Sequence, residues 1–526
     1  MNNCCPKSRR PLPSRRFSAL RRARALATQY DLESFETNAS NSNETNQKNR
    51  TPYIDSFDGA CPWVYGKSLE HHPQTLFVMK KGLDKLIAFI ETPSEEALKE
   101  VALVPSARPL EDLCGSLTFE PAGLDASHSK FTRIGKLFEV KARSNLGFFE
   151  MTEIYAISMV RDVKFAEWDN SDVVSSVFAA LKHTHTRLNL RTNPPSRKAL
   201  FRMDLADVNH GSFISQLLIL DVSHGNLSFS QKYAPESEVH YDKKSCLDML
   251  NGMQPADPPR LLSPQPLHSL NVLAGMVHKD PLFSFYYNAA LILHNKTGTQ
   301  IGGSNSSSNF LNGGIIDLLS CLGSVARVAL RTAWWLKWKN LKLRPEEFAA
   351  RIQLAAEISK KEAGDIPGFL ELKERMKNDE VLRLIKEKNR SYFLTMLYKE
   401  GAPVHPSFPS GHATVAGACC TVLKCFLRTR ANGESRKWSD VMGLGSIGVD
   451  SGETIDGEIN KLAMNVSVGR NAAGVHYSSD NESGVRIGEQ TAIFFLRSRL
   501  MFYTSKIAAS GVKLEFESFD RQIITI

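Results

Sequence analysis

The segment His405-Pro-Ser-Phe-Pro-Ser-Gly-His412 places a titratable imidazole at what reads as a helix start. Behind it Val415, Cys419, Val422 and Phe426 recur at i, i+4, i+7 and i+11, the spacing of one apolar helix face. Ser410 is a good N-cap residue and Gly411 lets a ligand approach the backbone, so the free N–H groups of the first turn favour an anion there. His412 would stand over that anion and exchange a proton near neutral pH. Taken alone, the segment also fits an ordinary capped helix carrying a surface histidine.

Two further segments complete a chemistry. Leu318, Leu322, Val325, Ala329 and Ala333 form a stripe at helical spacing, and the same spacing puts Lys337 on that stripe instead of on the solvated face. Arg344 follows seven residues later, and Pro345 marks a helix boundary beside it. The alternative is a solvated basic helix end made of Lys337, Lys339, Lys342 and Arg344. Downstream, Gly469 and Gly474 argue for a break between Arg470 and His476, which would let Arg470 fold back toward the histidine. With helix resuming near His476, Asp480 lies on its face at i+4 and would accept a proton from one ring nitrogen, fixing the tautomer of the other. A surface His–Asp pair is the competing reading.

The three segments spell Lys337-x6-Arg344-Pro345, Pro409-Ser410-Gly411-His412 and Arg470-x5-His476-x3-Asp480. In this order they resemble the superfamily that contains the type 2 phosphatidic acid phosphatases, the bacterial non-specific acid phosphatases and the vanadium-dependent haloperoxidases. The stretches "HPSFPSGHATVAGACCTVLK" and "GEINKLAMNVSVGRNAAGVHY" are similar to the bromoperoxidases of algae and cyanobacteria, as are "GSFISQLLILDVSHGNLSFSQ" and "YYNAALIL" upstream. The likeness runs from Thr118 to Ile526 and is strongest from Gly211 onward. The Lys337–Arg344 spacing departs from it, matching the chloroperoxidase-like and phosphatase-like pattern, one residue shorter than in the algal enzymes.

The resemblance implies vanadate as cofactor, His476 as its axial protein ligand, and Lys337, Arg344, Ser410, Gly411 and Arg470 around its oxygens. It implies that His412 is an acid/base for hydrogen peroxide and that His405, where chloroperoxidases carry an aromatic residue, favours bromide and iodide. Halide, peroxide and small organic substrates would then be the partners, within a homo-oligomer. A soluble acid phosphatase, with His476 as nucleophile and His412 as general acid, is the alternative activity. A non-catalytic protein using its basic tail on an acidic partner is a third reading.

Stepping out from the site, the implied fold is all-α, two four-helix bundles with a few short strands. Residues 1–52 read as basic tail and linker, 53–265 as a mainly helical N-terminal region, and 266–526 as the helical-bundle catalytic region. Helices are expected at Leu282–Asn295, Ile315–Leu341, Glu346–Lys360, Glu380–Asn389, Gly411–Leu427, Thr454–Val468 and Val485–Tyr503. No apolar run is long enough for a membrane span, which disfavours the membrane-embedded lipid phosphatases of the superfamily.

Lys7 and seven arginines in residues 1–30, with no acid before Asp31, supply nearly all of the formal charge of +9. The nearly neutral remainder argues against nucleic-acid binding. The arginine-rich, acid-free segment resembles an organelle transit peptide; a disordered tail on a cytoplasmic protein is the alternative, and no secretory h-region is evident. Nine cysteines, an odd number without a Cys-x-x-Cys pair, argue against a structural zinc site and a secreted disulfide framework, and Cys419, Cys420 and Cys425 read as buried packing residues. The Asn465 sequon is set aside as irrelevant. His71-His72 and His183-x-His185 are expected at the surface.

Overall fold

The computed structural model describes residues 56–118, 140–196, 203–224, 227–229, 234–255, 266–300, 313–442, 453–500 and 514–526. The basic tail and linker, and Tyr503, lie outside them. Ten helices position the site: α1 (Asn145–Val160), α2 (Asp172–Arg187), α3 (Leu270–Met276), α4 (Ser284–Thr297), α5 (Ile315–Asn340), α6 (Pro345–Glu357), α7 (Glu380–Asn389), α8 (Gly411–Phe426), α9 (Ile455–Ala472) and α10 (Ser478–Leu500). They pack as two groups of four. α1, α2, α6 and α7 form one; α5, α8, α9 and α10 form the other, with α3 laid along α9 and α4 along α5. The fold is all-α. Strands among the described residues are short antiparallel pairs, such as Glu515–Glu517 with Ile523–Thr525, where Phe516 faces Ile524.

The α5 stripe is buried as its spacing requires, from Leu318 through Ala333, and Lys337 at its end is fully buried too. α9 is buried on every face, so its polar side chains must find partners inside the protein. Lys461 accordingly bridges Glu453 and Glu458, and the Asn465 side chain accepts from Ser215 N at 2.7 Å and donates to Phe213 O at 3.1 Å. α9 runs to Ala472, past the expected Val468, because this internal pairing sustains helix where the sequence shows glycine at 469. α10 begins at Ser478, a full two turns before the expected Val485, since its polar first turns are buried against neighbouring elements.

α8 and α10 cross in backbone contact. A Cβ on Gly417 would stand 2.0 Å from Val485 O, and one on Gly488 2.0 Å from Thr414 O, so only glycine permits this approach. The reward is a backbone bond between the two site segments, Ser410 N to Asp480 O at 3.0 Å. The histidines expected at the surface divide: His72 and His183 do lie outside the core, whereas His71 and His185 are buried. His71 is held by Leu69 O at 2.8 Å and Asn251, and the His185 ring packs against Phe149, so packing claimed both. Cys419, Cys420 and Cys425 are buried free thiols.

Candidate active site

The site begins where α5 ends. Leu341 adopts a left-handed conformation (φ 48°) and caps the helix by donating its N–H to Lys337 O. A leucine held there costs roughly 1–2 kcal/mol, and its buried side chain offsets that cost. The sharp exit sends residues 342–344 out of the helix, with Arg344 extended, before Pro345 opens α6. Lys342 and Arg344 leave this short run for neighbouring partners, Lys342 for Asp480 and Arg344 for His476.

Three buried cations converge. Lys337 Nζ donates only to backbone, at 3.0 Å to Pro406 O and 3.1 Å to Ser407 O. Arg344 Nε donates to His405 O at 2.9 Å, and Nη1 to Val475 O at 2.7 Å. Arg470 Nη1, in the last turn of α9, donates to Val277 O at 2.7 Å and to the Tyr398 hydroxyl at 3.2 Å, while its Nε is buried without a partner. Among the described residues no carboxylate forms an ion pair with any of the three. Burial, reinforced by Arg344, holds the Lys337 ammonium well below its usual pKa. Burial lowers Arg344 likewise.

The histidine tautomers follow from what surrounds them. Asp480 Oδ2 lies 3.2 Å from His476 Nδ1 and accepts the ring proton, because an ionised carboxylate has none to give. Nε2 of His476 therefore carries the lone pair, and Arg344 Nη1 donates toward it at 3.1 Å. Asp480 stays ionised: burial opposes this, but Lys342, at 2.8 Å from Oδ1, and His476 outweigh it and hold the carboxyl well below its usual range. Oδ2 also accepts from Ser407 Oγ at 2.5 Å and from Tyr477 N–H at 3.2 Å. The expected i+4 pairing is present, although helix starts only at Ser478 and His476 lies just before it.

Arg344 Nη2 also donates to His405 Nδ1 at 2.9 Å, which leaves the proton of His405 on Nε2, 3.4 Å from the Glu111 carboxylate. Burial, with Lys337 and Arg344 nearby, keeps this imidazole neutral. Its ring lies 4.5 Å from that of Trp334, which also covers Gly411 so closely that a Cβ there would meet the indole at 2.6 Å. Ser410 caps α8 by accepting from Ala413 N at 3.4 Å, and its own backbone N–H is already given to Asp480. His412 Nε2 donates to Asp280 Oδ1 at 3.0 Å, leaving the lone pair on Nδ1. Burial lowers the His412 pKa, Asp280 opposing and Arg470 assisting.

Arg344, His405, Ser410, His476 and Asp480 are thus joined by direct contacts, and Lys337 meets them through the Pro406 and Ser407 carbonyls. Arg470 and His412 meet the same short segment, at Val277 and Asp280. The expected fold-back of Arg470 onto His476 is not what its guanidinium does: it reaches Val277 and Tyr398 from within the helix. Lys342, read as part of a solvated basic end, is instead a buried partner of Asp480; its i, i+2 relation to Arg344 in "LKLRP" is the signal that could have found it. Ser407, Tyr398 and Asp280 carry no comparable signal, since each acts through a distant contact. Of the three neighbouring tryptophans, Trp334 lines the site, whereas Trp338 packs against Tyr65 in a separate apolar cluster.

The chain is similar to known proteins in sequence and in fold. A family model described as the VCPO second helical-bundle domain matches residues 378–502, the span holding His405, His412, Arg470 and His476. The vanadium-dependent bromoperoxidase of Ascophyllum nodosum is 30% identical, covering 72% of this chain and 71% of the relative. The chain belongs to the vanadium-dependent bromoperoxidase family. Family members from Corallina pilulifera and Corallina officinalis are each 25% identical over 86% of this chain and 90% of their own. The fold of the family is also seen in the homohexameric second vanadate-dependent bromoperoxidase of Ascophyllum nodosum, which superimposes with a TM-score of 0.72 at 20% identity, covering 100% of this chain and 94% of that one.

Proposed function

We propose that the three unpaired buried cations hold vanadate, with His476 Nε2 as its single protein ligand. The protein is a vanadium-dependent haloperoxidase that oxidises bromide with hydrogen peroxide, and the hypohalous acid equivalent halogenates organic nucleophiles. The observation that carries the assignment of the site is the missing counter-charge. Burying a cation without a partner costs several kcal/mol, and Lys337, Arg344 and Arg470 together have only carbonyl, hydroxyl and imidazole acceptors. A tetrahedral oxyanion supplies the acceptors this set lacks, including one for the orphaned Arg470 Nε. The donor set therefore fits the group.

Vanadate bound there supplies a Lewis-acid centre that activates hydrogen peroxide toward halide. The chain's residues do the rest. Asp480 keeps the His476 proton on Nδ1, so that Nε2 offers its lone pair. Lys337, Arg344 and Arg470 neutralise the oxyanion, with Ser410 Oγ and the Gly411 N–H completing the cradle. Neutral His412, braced by Asp280 on Nε2, takes the peroxide proton on Nδ1 and returns it later. His405 and Trp334 line the approach and set its polarity. Small organic substrates accept the oxidised halogen.

Assembly into a homo-oligomer belongs to the same proposal, supported by the homohexameric neighbour. No helix among the described residues is long and apolar enough to cross a membrane; delivery to an organelle by residues 1–30 is proposed on their arginine content alone. Assaying the apoprotein for phosphate-ester cleavage and for bromide-dependent bromination of a phenol, each with and without orthovanadate, tests the reading. Vanadate is expected to switch bromination on. Ester cleavage that vanadate inhibits, without any bromination, would assign the site to phosphoryl transfer instead.

A further inference from the structure

Between α3 and α4, residues 277–280 touch the site twice. Val277 O accepts Arg470 Nη1 at 2.7 Å, and Asp280 Oδ1 accepts His412 Nε2 at 3.0 Å. Between them His278 sits in a clamp of two carboxylates. Its Nδ1 lies 2.9 Å from Glu236 Oε1 and its Nε2 2.8 Å from Glu400 Oε1, with the imidazole side chain only 5% exposed. Its ring lies flat on Tyr398, centroids 3.7 Å apart and planes 6° from parallel. Tyr398 in turn donates its hydroxyl to Ala274 O at 2.8 Å, so that hydroxyl accepts from Arg470.

The clamp is itself anchored. Glu236 N and O are bonded by the Asn271 side chain at 2.6 and 3.0 Å, and Glu400 O accepts from Lys67 Nζ at 3.1 Å and Arg108 Nη2 at 2.7 Å. Ionised carboxylates accept and do not donate, so with Glu236 and Glu400 both ionised each ring nitrogen of His278 carries a proton and the ring is an imidazolium. Burial alone would discharge it, but Glu236 and Glu400 outweigh burial and raise its pKa.

We propose that His278 is a positioning residue, a clamped imidazolium that fixes residues 277–280 and thereby sets the places of Arg470 and His412. The inference deepens the vanadate reading and rests on it for its first readout. Loss of the His278 proton turns one attractive contact into a lone pair facing a carboxylate; the segment shifts, carrying Val277 O off Arg470 and Asp280 off His412. The charged and titratable groups around the imidazole are Glu236, Glu400 and Tyr398, with Arg108 behind Glu400 and Arg470 behind Tyr398. Deprotonation at alkaline pH should therefore loosen both the anion cradle and the acid/base pair.

The test compares wild type, His278→Phe, which keeps the stack and removes the charge, and His278→Arg, whose planar cation still donates to both carboxylates. Orthovanadate affinity of the full-length apoprotein is measured by equilibrium dialysis. The Phe variant is expected to bind roughly 10–100-fold more weakly, and the Arg variant to recover most of that loss and to flatten the alkaline fall in affinity. A second readout needs no vanadate: the titration of His412, followed by NMR of histidine-labelled apoprotein, should move in the Phe variant because Asp280 moves. Unchanged affinity and unchanged His412 titration in the Phe variant overturn the inference, as does an Arg variant no better than Phe. Wild type that binds no vanadate overturns the vanadate reading, and the His412 titration then decides this one. Should the Phe variant not fold, Glu400→Gln is expected to bring the alkaline fall to lower pH, and an unmoved profile overturns the proposal.

Discussion

Asp480 and His476 form the hinge of the chemistry: a carboxylate oxygen 3.2 Å from Nδ1 decides which ring nitrogen has a lone pair to offer. Lys342 holds the other oxygen of that carboxylate at 2.8 Å, and Ser407 donates to the same oxygen as His476 at 2.5 Å. Replacing Asp480 by Asn removes the charge but keeps the shape. Vanadate affinity should fall roughly 10–100-fold, and the loss of Lys342's buried partner should cost about 3–5 kcal/mol of stability. Because the folded pKa of Asp480 lies below the unfolded value of about 3.9, its contribution is present above that pH and fades as pH falls through the folded pKa. Denaturant unfolding of both proteins at near-neutral and acid pH measures this; an advantage of the wild type that does not shrink toward acid would contradict it.

The roles proposed for His476 and His412 predict different losses. His476→Ala should abolish tight vanadate binding by removing the proposed ligand nitrogen. His412→Ala should retain vanadate while losing about 10²–10⁴ in turnover, the range expected for a lost acid/base group. Equilibrium dialysis alongside steady-state kinetics distinguishes them, and equal vanadate affinities in the two variants would refute the division.

We propose that halide choice rests on His405, held neutral between Arg344 and Glu111 and packed against Trp334. The wild type is expected to oxidise iodide and bromide well and chloride poorly. His405→Phe should lower bromide turnover without abolishing vanadate binding, because Arg344 retains its bonds to His405 O and Val475 O. Efficient chlorination of a phenolic probe by the wild type at mildly acidic pH would show that Trp334 and the short Lys337–Arg344 spacing govern the choice.

Much of this was readable in advance. The α5 stripe ending on Lys337, the Ser410 cap and the boundaries of α7 depend on local spacing and cap chemistry, and there the sequence and the structure agree to within a residue. α10 was placed too late because Ser478–Gly484 is polar in composition but buried by contact with other elements. Asp280, Ser407 and Tyr398 were illegible for the same reason: each acts on a group more than sixty residues away in the chain. Lys342 was legible only to a reader who knew that Leu341 turns the chain into an extended run.

The α8–α10 crossing gives a prediction remote from the chemistry. In Gly488→Ala the new methyl would meet Thr414 O at 2.0 Å, backbone that yields only by separating the helices. Overpacking of this kind costs about 1–3 kcal/mol, and vanadate affinity should fall with it, because Ser410 one turn earlier is bonded to Asp480 O. Thermal unfolding and dialysis together check the link, and a destabilised variant with unaltered affinity would break it.

Lys337, Arg344 and Arg470 are proposed to hold one vanadate per chain. Titrating apoprotein with orthovanadate while recording bromide-dependent bromination tests this most directly. Activity should rise to a plateau at one equivalent and fall when excess phosphate competes for the same cations. Bromination that is independent of vanadate, or a plateau unaffected by phosphate, would contradict the account.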